Sequence, residues 1–310
     1  MAKFSVTILG CGSAKPTLRH HTSSQIINHS GSLYLVDCGE GTQSQLMRFK
    51  IRQKSLENVF ISHAHSDHCL GLIGLLSSMA LNERHKSLRV FCPSDFEAIL
   101  KANLAFFLPM VGFDILIHPI DSDSPTLIYS DKLLEVTAFP LIHRVPCYGF
   151  LFKERAVAHI RPECIRQYGI PFSAIEGIKC GDDFLTADGR RIPNSELVSP
   201  VSPVRSYAYL TDTRPMPAYT ELLRGVDLVY HDATYAAEDA PLAQQFTHST
   251  ATEAAVFASR CHAKQLLLGH YSSRYEDETV LLAQALDIFP DTLLADEGLT
   301  VNIGTEAVEG

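Results

Sequence analysis

The densest chemistry in the chain is the run His63-Ala64-His65-Ser66-Asp67-His68, which directly follows the apolar residues Val59-Phe60-Ile61. Four potential metal ligands fall within six residues. Two imidazoles at i and i+2 on a loop point into one space. Asp67 and His68, at the start of a following helix, can face a second ion. Imidazole with carboxylate suits zinc, with manganese or iron as competitors. Other polar residues close apolar runs. His143 follows Phe139-Pro140-Leu141-Ile142, Asp212 follows Ala208-Tyr209-Leu210-Thr211, and His270 follows Leu266-Leu267-Leu268-Gly269. Asp37 closes Tyr34-Leu35-Val36. Each alone fits a polar strand cap or a core histidine. Together with the His-rich run they describe a site at a sheet edge, where rigid strands fix ligand positions. A carboxylate such as Asp37 orients imidazole ligands from behind.

The elements that must hold these residues are legible as patterns. Strands are expected at Phe4–Leu9, Ser24–Asn28, Ser32–Val36, Asn58–Ile61, Leu88–Cys92, Ile115–His118, Leu133–Pro140 and Cys147–Phe152. Later ones are expected at Ser206–Leu210, Leu228–His231 and Gln265–Leu268. Helical periodicity covers Gly41–Phe49, Asp67–Leu81, Ser94–Phe106, Pro217–Leu223, Thr250–Cys261 and Asp277–Ala285. Strand–helix alternation occurs twice, which predicts an α/β sandwich of two sheets with outer helices. Between Arg144 and Arg205, six prolines and five glycines interrupt the pattern. A structureless loop of that length is unusual inside a compact domain. An inserted arm at 144–205 within one catalytic domain spanning 1–310 is the expectation.

Composition bounds the class. Hydrophobic residues are 46% and charged residues 20%, ordinary for a soluble globular chain and unlike disordered or coiled-coil sequences. The most apolar stretch, Cys69 to Leu81, is too short to span a bilayer. No targeting segment is visible, and the eight cysteines (Cys11, Cys38, Cys69, Cys92, Cys147, Cys164, Cys180 and Cys261) show no CxxC spacing. A cytoplasmic protein with free thiols, and no membrane partner, is expected. The net charge of −9 argues against indiscriminate nucleic-acid binding, and DNA is not an expected partner. That charge is unevenly spread. Residues 1–54 carry +5 and 144–181 carry +3, whereas 227–310 carry −11. The acidity is thus concentrated in the C-terminal part, while the first loops and residues 144–181 are basic.

The order of Asp37, the run from His63 to His68, His143, Asp212 and His270 resembles the metallo-β-lactamase superfamily. Its fold is a four-layer αββα sandwich with a dinuclear metal site at one edge of the sheets. Within it, the chain is similar to the ribonuclease Z family of tRNA 3′-processing endonucleases. The similarity rests on Leu35-Val36-Asp37-Cys38-Gly39-Glu40-Gly41-Thr42-Gln43, Leu210-Thr211-Asp212-Thr213-Arg214-Pro215, His231-Asp232-Ala233-Thr234 and His248-Ser249-Thr250. It spans about Phe4 to Ile303.

The resemblance implies that His63, His65 and His143 bind one Zn2+, that Asp67, His68 and His270 bind the other, and that Asp212 bridges them. Manganese or another divalent ion is an alternative. It further implies that Asp67 orients or deprotonates the attacking water and that a protonated His248, paired with Asp232, is the general acid. Without the family, His248 reads only as a residue just before a helix starting near Thr250. Asp37 and His231 would support the ligands from behind. The substrate would be precursor tRNA, left with a 3′-hydroxyl, and the enzyme a homodimer whose arm grips the tRNA. Lys15 and Arg19, and the arm residues Lys153, Arg155, Arg161, Arg166 and Lys179, are the candidates for substrate contact. Gly169-Ile170-Pro171-Phe172-Ser173 resembles part of the family's arm.

Three departures stand out. Asp232 replaces the usual Glu and, being one methylene shorter, is expected to reach His248 from a different backbone position or through water. Ala64 and Ser66 stand where Leu and Gly are commoner, and Leu18 stands at a usually basic position. A small-molecule phosphodiesterase of the same superfamily is the alternative. A non-catalytic tRNA-binding homologue is a third reading, opposed by the complete set of ligating residue types.

Overall fold

Strands buried on both faces must find a partner for each face, and here successive residues divide between two partners. The structure, a computed structural model, describes residues 3–156, 158–179, 181–199 and 203–304. Cys180 lies outside these residues. The first sheet holds β1 (Phe4–Gly10), β2 (Ser24–His29), β3 (Ser32–Cys38), β4 (Leu56–Phe60), β5 (Leu88–Pro93), β6 (Ile115–Ile120) and, beside β1, Thr300–Asn302. From β3 to β6 the neighbours pair in parallel. Helices α1 (Thr42–Arg48), α2 (Ser66–Cys69), α3 (Gly71–Leu81) and α4 (Ser94–Phe107) fall between these strands.

Side chains alternate across a strand. Leu35, Val59 and Val90 therefore share one face, and they pack with Leu72, Leu75 and Leu76 of α3 and Phe96 and Leu100 of α4. The intervening Tyr34 and Phe60 turn the other way. Phe60 lies 5.6 Å from Phe150 and 5.4 Å from Phe152, and Tyr34 lies 6.2 Å from Phe152. Those phenylalanines belong to a second sheet, so an aromatic layer joins the two.

The second sheet holds β7 (Thr126–Ser130), β8 (Leu134–Pro140) and β9 (Tyr148–Glu154). After the small hairpin β10 (Phe184–Leu185) and β11 (Arg191–Ile192), it continues with β12 (Ser206–Leu210), β13 (Leu228–Asp232), β14 (Gln265–Gly269) and β15 (Thr292–Leu294). Its strand order is β15-β14-β13-β12-β9-β8-β7, and Thr300–Asn302 is β16. The expected two-sheet α/β architecture is the observed one.

Chain contacts divide the protein into a unit of residues 1–129, 136–152 and 205–310 and a unit of residues 130–135 and 153–204. The expected arm began at 144, but β9 occupies Tyr148–Glu154 in the second sheet. The second unit is not featureless. It contains α5 (Pro162–Tyr168), α6 (Ile175–Lys179), α7 (Asn194–Leu197) and the β10–β11 hairpin. Ile160, Cys164, Ile170, Ile178, Ile192 and Leu197 form its own small core. These helices are too short to show apolar periodicity.

The helix expected over Asp67–Leu81 is broken at Leu70, between α2 and α3. Pro217–Leu223 forms only a 3-10 turn at Pro217–Tyr219. The edge strands β7 and β16 and the short β15 carry little alternation and were not expected. Helices α8 (Ala240–Phe246), α9 (Ala251–Arg260) and α10 (Thr279–Leu286) complete the chain. The start of α9 is set by a capping box, in which the Glu253 N–H donates to Thr250 Oγ1 at 3.2 Å and the Thr250 N–H to Glu253 Oε2 at 2.9 Å. No helix among the described residues is long and apolar enough to cross a membrane. The seven described cysteines are free and buried.

Gly39, just after β3, is set by close approach. A Cβ there would overlap Thr22 Oγ1 and the Asp67 carbonyl. Gly39→Ala is expected to lose roughly 1–3 kcal/mol by overpacking. Gly74, inside α3, has only Gln43 Oε1 near its would-be Cβ, at 3.6 Å. Gly74→Ala is expected to gain roughly 0.5–1 kcal/mol. Urea unfolding of both variants checks the opposite signs.

Candidate metal centre

Parallel strands that end together bring their following loops together. After β4 the chain passes through Ser62, His63 and His65, and α2 then carries Asp67 and His68 in a single turn. β12, β13 and β14 are parallel neighbours, with Leu210 opposite His231 and Asp232 opposite Gly269. Asp212, Asp232 and His270 therefore leave the sheet at one edge, and His143 follows the end of β8. Asp37, Asp212 and His270 adopt left-handed backbone conformations, with φ of 54°, 45° and 62°. Such geometry costs on the order of 1 kcal/mol or more per residue and persists where the surroundings over-determine it.

The seven sequence-predicted ligands fall into two groups that share one residue. His63, His65, His143 and Asp212 form the first, and Asp67, His68, Asp212 and His270 the second. In the first, His65 Nδ1 lies 3.0 Å from His63 Nε2 and 3.2 Å from His143 Nε2. Asp212 Oδ2 lies 3.6 Å from His63 Nε2 and 3.8 Å from His143 Nε2. In the second, Asp212 Oδ1 lies 3.2 Å from His68 Nε2 and 3.0 Å from His270 Nε2. Asp67 Oδ2 is 3.5 Å from both of those nitrogens. Separations of this size are the edges of polyhedra whose donors each sit about 2.0–2.2 Å from a common ion. Two groups of nitrogen and oxygen donors, buried but for the half-buried His65 and His143, fit a pair of divalent cations.

The outward nitrogens are held from behind. His68 Nδ1 lies 2.7 Å from Asp37 Oδ2, His63 Nδ1 3.0 Å from Ser62 Oγ, His143 Nδ1 3.0 Å from Thr247 Oγ1, and His270 Nδ1 2.9 Å from Thr234 Oγ1. Such contacts set ring orientation and tautomer. Asp37 also accepts from the Ser62 N–H at 2.7 Å, the Ser62 hydroxyl at 2.8 Å and the Tyr209 hydroxyl at 2.7 Å. The Ala14 N–H donates to Asp67 Oδ2 at 2.7 Å. Tyr209, Thr247 and Ala14 escaped the sequence reading because nothing local marks them. Ser62 adjoins the His-rich run and Thr234 closes the quoted His231–Thr234 motif, and a hydroxyl beside a ligand run is a usable signal.

His248 Nδ1 lies 2.8 Å from Asp232 Oδ2, so the shorter carboxylate reaches the ring directly and no water is needed. Asp232 is anchored by the Thr213 N–H at 3.1 Å and by the Thr234 N–H at 2.9 Å. The His248 ring stacks on His270 with centroids 5.3 Å apart and stands 5.5 Å from His143. His231 is a correction. Neighbours on a strand face opposite ways, and its ring packs 5.2 Å from Phe257 of α9, with Nδ1 on the Asp232 carbonyl at 2.8 Å. It contacts none of the seven ligands among its described interactions.

The outer candidates divide too. Lys15 is exposed. Arg19 is taken up by the backbone carbonyls of Tyr275 and Glu276 and by Glu278 at 2.9 Å, so it braces a loop. Arg155 donates to the Asp131 carbonyl at 2.9 Å and Arg161 to the Val198 carbonyl at 3.0 Å. Lys153, Arg166 and Lys179 are exposed on the second unit.

The electrostatics suit cations. Burial, with the nearby His68 charge, drives the His63 imidazole well below its ordinary value. Burial also lowers His65, and takes His143 down to about 4 against the pull of Asp212. His68 and His270 go the other way. Burial opposes their charge, yet Asp212, with Asp67 beside it, overrides this, raising His68 well up and His270 to about 10. Burial would raise Asp212 as well, but the charges on His270, His68 and His63 hold it well below the carboxylate range. Without a metal, protons on His68 and His270 supply the positive charge the carboxylates require.

Metal uptake must displace those protons, so affinity falls as pH falls. Occupancy is expected to drop below about pH 6, read by elemental analysis after dialysis at stepped pH. Asp37→Asn replaces an acceptor of several bonds by a group that is half donor. It should lower metal affinity roughly 10–100-fold in chelator competition, with Tyr209→Phe affecting it less.

The chain as a whole resembles known proteins. The chain is 43% identical over 304 residues to the ribonuclease Z of Bacteroides thetaiotaomicron, covering 98% of this chain and 96% of that one. It is also 43% identical over 304 residues to the ribonuclease Z of Porphyromonas gingivalis W83, covering 98% and 100%. Among solved structures, the short form of human tRNase Z superposes with a TM-score of 0.72 at 24% identity, covering 97% of this chain and 100% of that one. The metallo-β-lactamase fold protein YhfI from Bacillus subtilis superposes with a TM-score of 0.70 at 18% identity, covering 97% and 100%. A family model described as anti-Pycsar protein Apyc1 matches residues 4–109. With identity at this level along nearly the whole length, on a metallo-β-lactamase fold, the chain belongs to the ribonuclease Z family.

Proposed function

We propose that the chain removes the 3′ trailer from precursor tRNA by metal-dependent hydrolysis of one phosphodiester. The observation that carries this reading is Asp212, with one oxygen in each of two buried donor groups and the Asp232–His248 pair alongside. His63, His65, His143 and Asp212 would hold one Zn2+, and Asp67, His68, His270 and Asp212 a second, with Mn2+ as a substitute. Two such ions would supply an activated water and would neutralise charge developing on the phosphoryl oxygens.

The chain's own groups do the rest. Asp67, its Oδ2 braced by the Ala14 N–H, orients or deprotonates the attacking water through its carboxylate. His248 Nδ1 is occupied by Asp232, which leaves Nε2 to deliver a proton to the departing ribose O3′. The water oxygen then stays on the trailer's 5′ phosphate, and the tRNA ends in a 3′-hydroxyl. Exposed Lys153, Arg166 and Lys179 of the second unit suit contact with the tRNA backbone, as does Lys15. We also propose a homodimer working in the cytoplasm. Buried free thiols suit a reducing compartment. Exposed Ile99, Phe106, Phe107 and Met110, on and just after α4, offer apolar surface for a second copy. The small-molecule phosphodiesterase reading is weaker. The anti-Pycsar match stops at residue 109, before His143, Asp212, His248 and His270.

Incubating the protein with a trailer-bearing transcript, with and without chelator, tests the proposal. Chelator-sensitive cleavage next to the discriminator base is expected, and its absence refutes the reading. Asp67→Ala should nearly abolish cleavage while tRNA binding persists. Replacing Lys153, Arg166 and Lys179 by alanine should weaken binding and lower its salt slope by roughly one for each lost phosphate contact. Equal loss of binding and chemistry in both variants would contradict this division of labour.

A further inference from the structure

The described residues hold one more cluster of mixed metal-ligating side chains, apart from the catalytic histidines and aspartates. Cys11 immediately follows β1, His20 lies on the loop before β2, and Glu297 lies between β15 and β16. Cys11 Sγ is 3.4 Å from His20 Nδ1, and His20 Nδ1 is 3.0 Å from Glu297 Oε2. One donor atom from each of the three lies within 4.8 Å of the other two. We propose that Cys11 Sγ, His20 Nδ1 and Glu297 Oε2 form a further, mononuclear site for a thiolate-accepting divalent cation such as Zn2+, distinct from the centre that shares Asp212.

Three features make the cluster a site. The two measured edges match donors each about 2.0–2.3 Å from one ion. The remaining atoms are already committed elsewhere. Glu297 Oε1 accepts from the His21 N–H at 2.8 Å, which leaves Oε2 for the ion. His20 Nε2 faces Glu278 Oε1 at 3.4 Å, the carboxylate-behind-imidazole arrangement that orients metal-binding histidines. Charge also balances. A thiolate, a neutral imidazole and a carboxylate carry two negative charges, which a divalent ion cancels in a place where Cys11 is fully buried. Without the ion, protons fill the site. Burial and Glu297 hold the Cys11 thiol well above its ordinary value, and the hydrogen bond to Glu297 raises His20. Binding therefore releases protons and strengthens as pH rises.

The site stitches the start of the chain to its end, beneath the loop whose Ala14 N–H braces Asp67. On the same loop, Gly12 bridges to Tyr271, the residue after His270. An ion here would hold that loop against the catalytic edge. The thiolate gives the site a softer character than the all-nitrogen-and-oxygen centre.

Cobalt distinguishes the two, because only a thiolate ligand produces an intense near-ultraviolet sulfur-to-cobalt charge-transfer band. Metal-stripped full-length protein is titrated with Co2+. The expected result is one equivalent beyond the two taken by the Asp212 centre, appearing together with that band. Cys11→Ser should abolish the band and the extra equivalent. Glu297→Gln, nearly isosteric, should weaken the extra binding while the other two equivalents report an intact fold. Two equivalents and no band in the unaltered protein would overturn the proposal, as would a band that survives in Cys11→Ser. Either outcome leaves the tRNA-processing centre standing, since its seven ligands include no cysteine.

Discussion

Asp37, Asp67, Asp212 and Asp232 are buried within a short distance of one another, and negative charge in a dry interior must be matched. The histidines around them do the matching, by protonation when no cation is present and by ligation when one is. That single requirement accounts for the split behaviour of the imidazoles. Those deepest among carboxylates, His68 and His270, are driven toward the charged form. His63, His65 and His143 are driven toward the neutral one. A polar cavity of this kind is expensive unless every member has a partner. The hydroxyls of Ser62, Tyr209, Thr234 and Thr247 supply those partners.

The fold exists to hold this charge in place. Parallel strands from two sheets end at one edge, and the aromatic layer of Tyr34, Phe60, Phe150 and Phe152 fixes the distance between the sheets. Tyr209 shows the coupling. It stacks on Tyr230 within the second sheet, with ring centroids 5.0 Å apart, and its hydroxyl crosses to Asp37 in the first. Packing and ligand orientation are thus set by one residue. Left-handed backbone at Asp37, Asp212 and His270 is tolerable because these neighbours leave the chain no relaxed alternative.

The two units differ in their cores. The catalytic unit needs rigidity, since a displacement of about an ångström in a ligand set is enough to lose function. The second unit has a core of six small and medium side chains and a charged exterior. Asp232 illustrates economy on the catalytic side. One methylene shorter than its usual counterpart, it still meets His248 because Thr213 and Thr234 aim it.

Residue types and their order along the chain were enough to single out the seven residues that the fold gathers into two donor groups, the strands that carry them and the two-sheet architecture. Each ligand closes a strand or follows one closely, and strand patterns are local. The sequence also pointed to the pairing of His248 with Asp232, through the resemblance. Tertiary structure alone decided the rest, because it depends on distances between residues far apart in sequence. It decided that Asp212 offers one oxygen to each group and that Tyr209 crosses between sheets. It turned His231 away from the site, since its neighbour Asp232 occupies the inward-facing strand position. It tied Arg19 to the loop at Tyr275–Glu278. It also brought Cys11, His20 and Glu297 together from opposite ends of the chain, a conjunction that no spacing rule could anticipate.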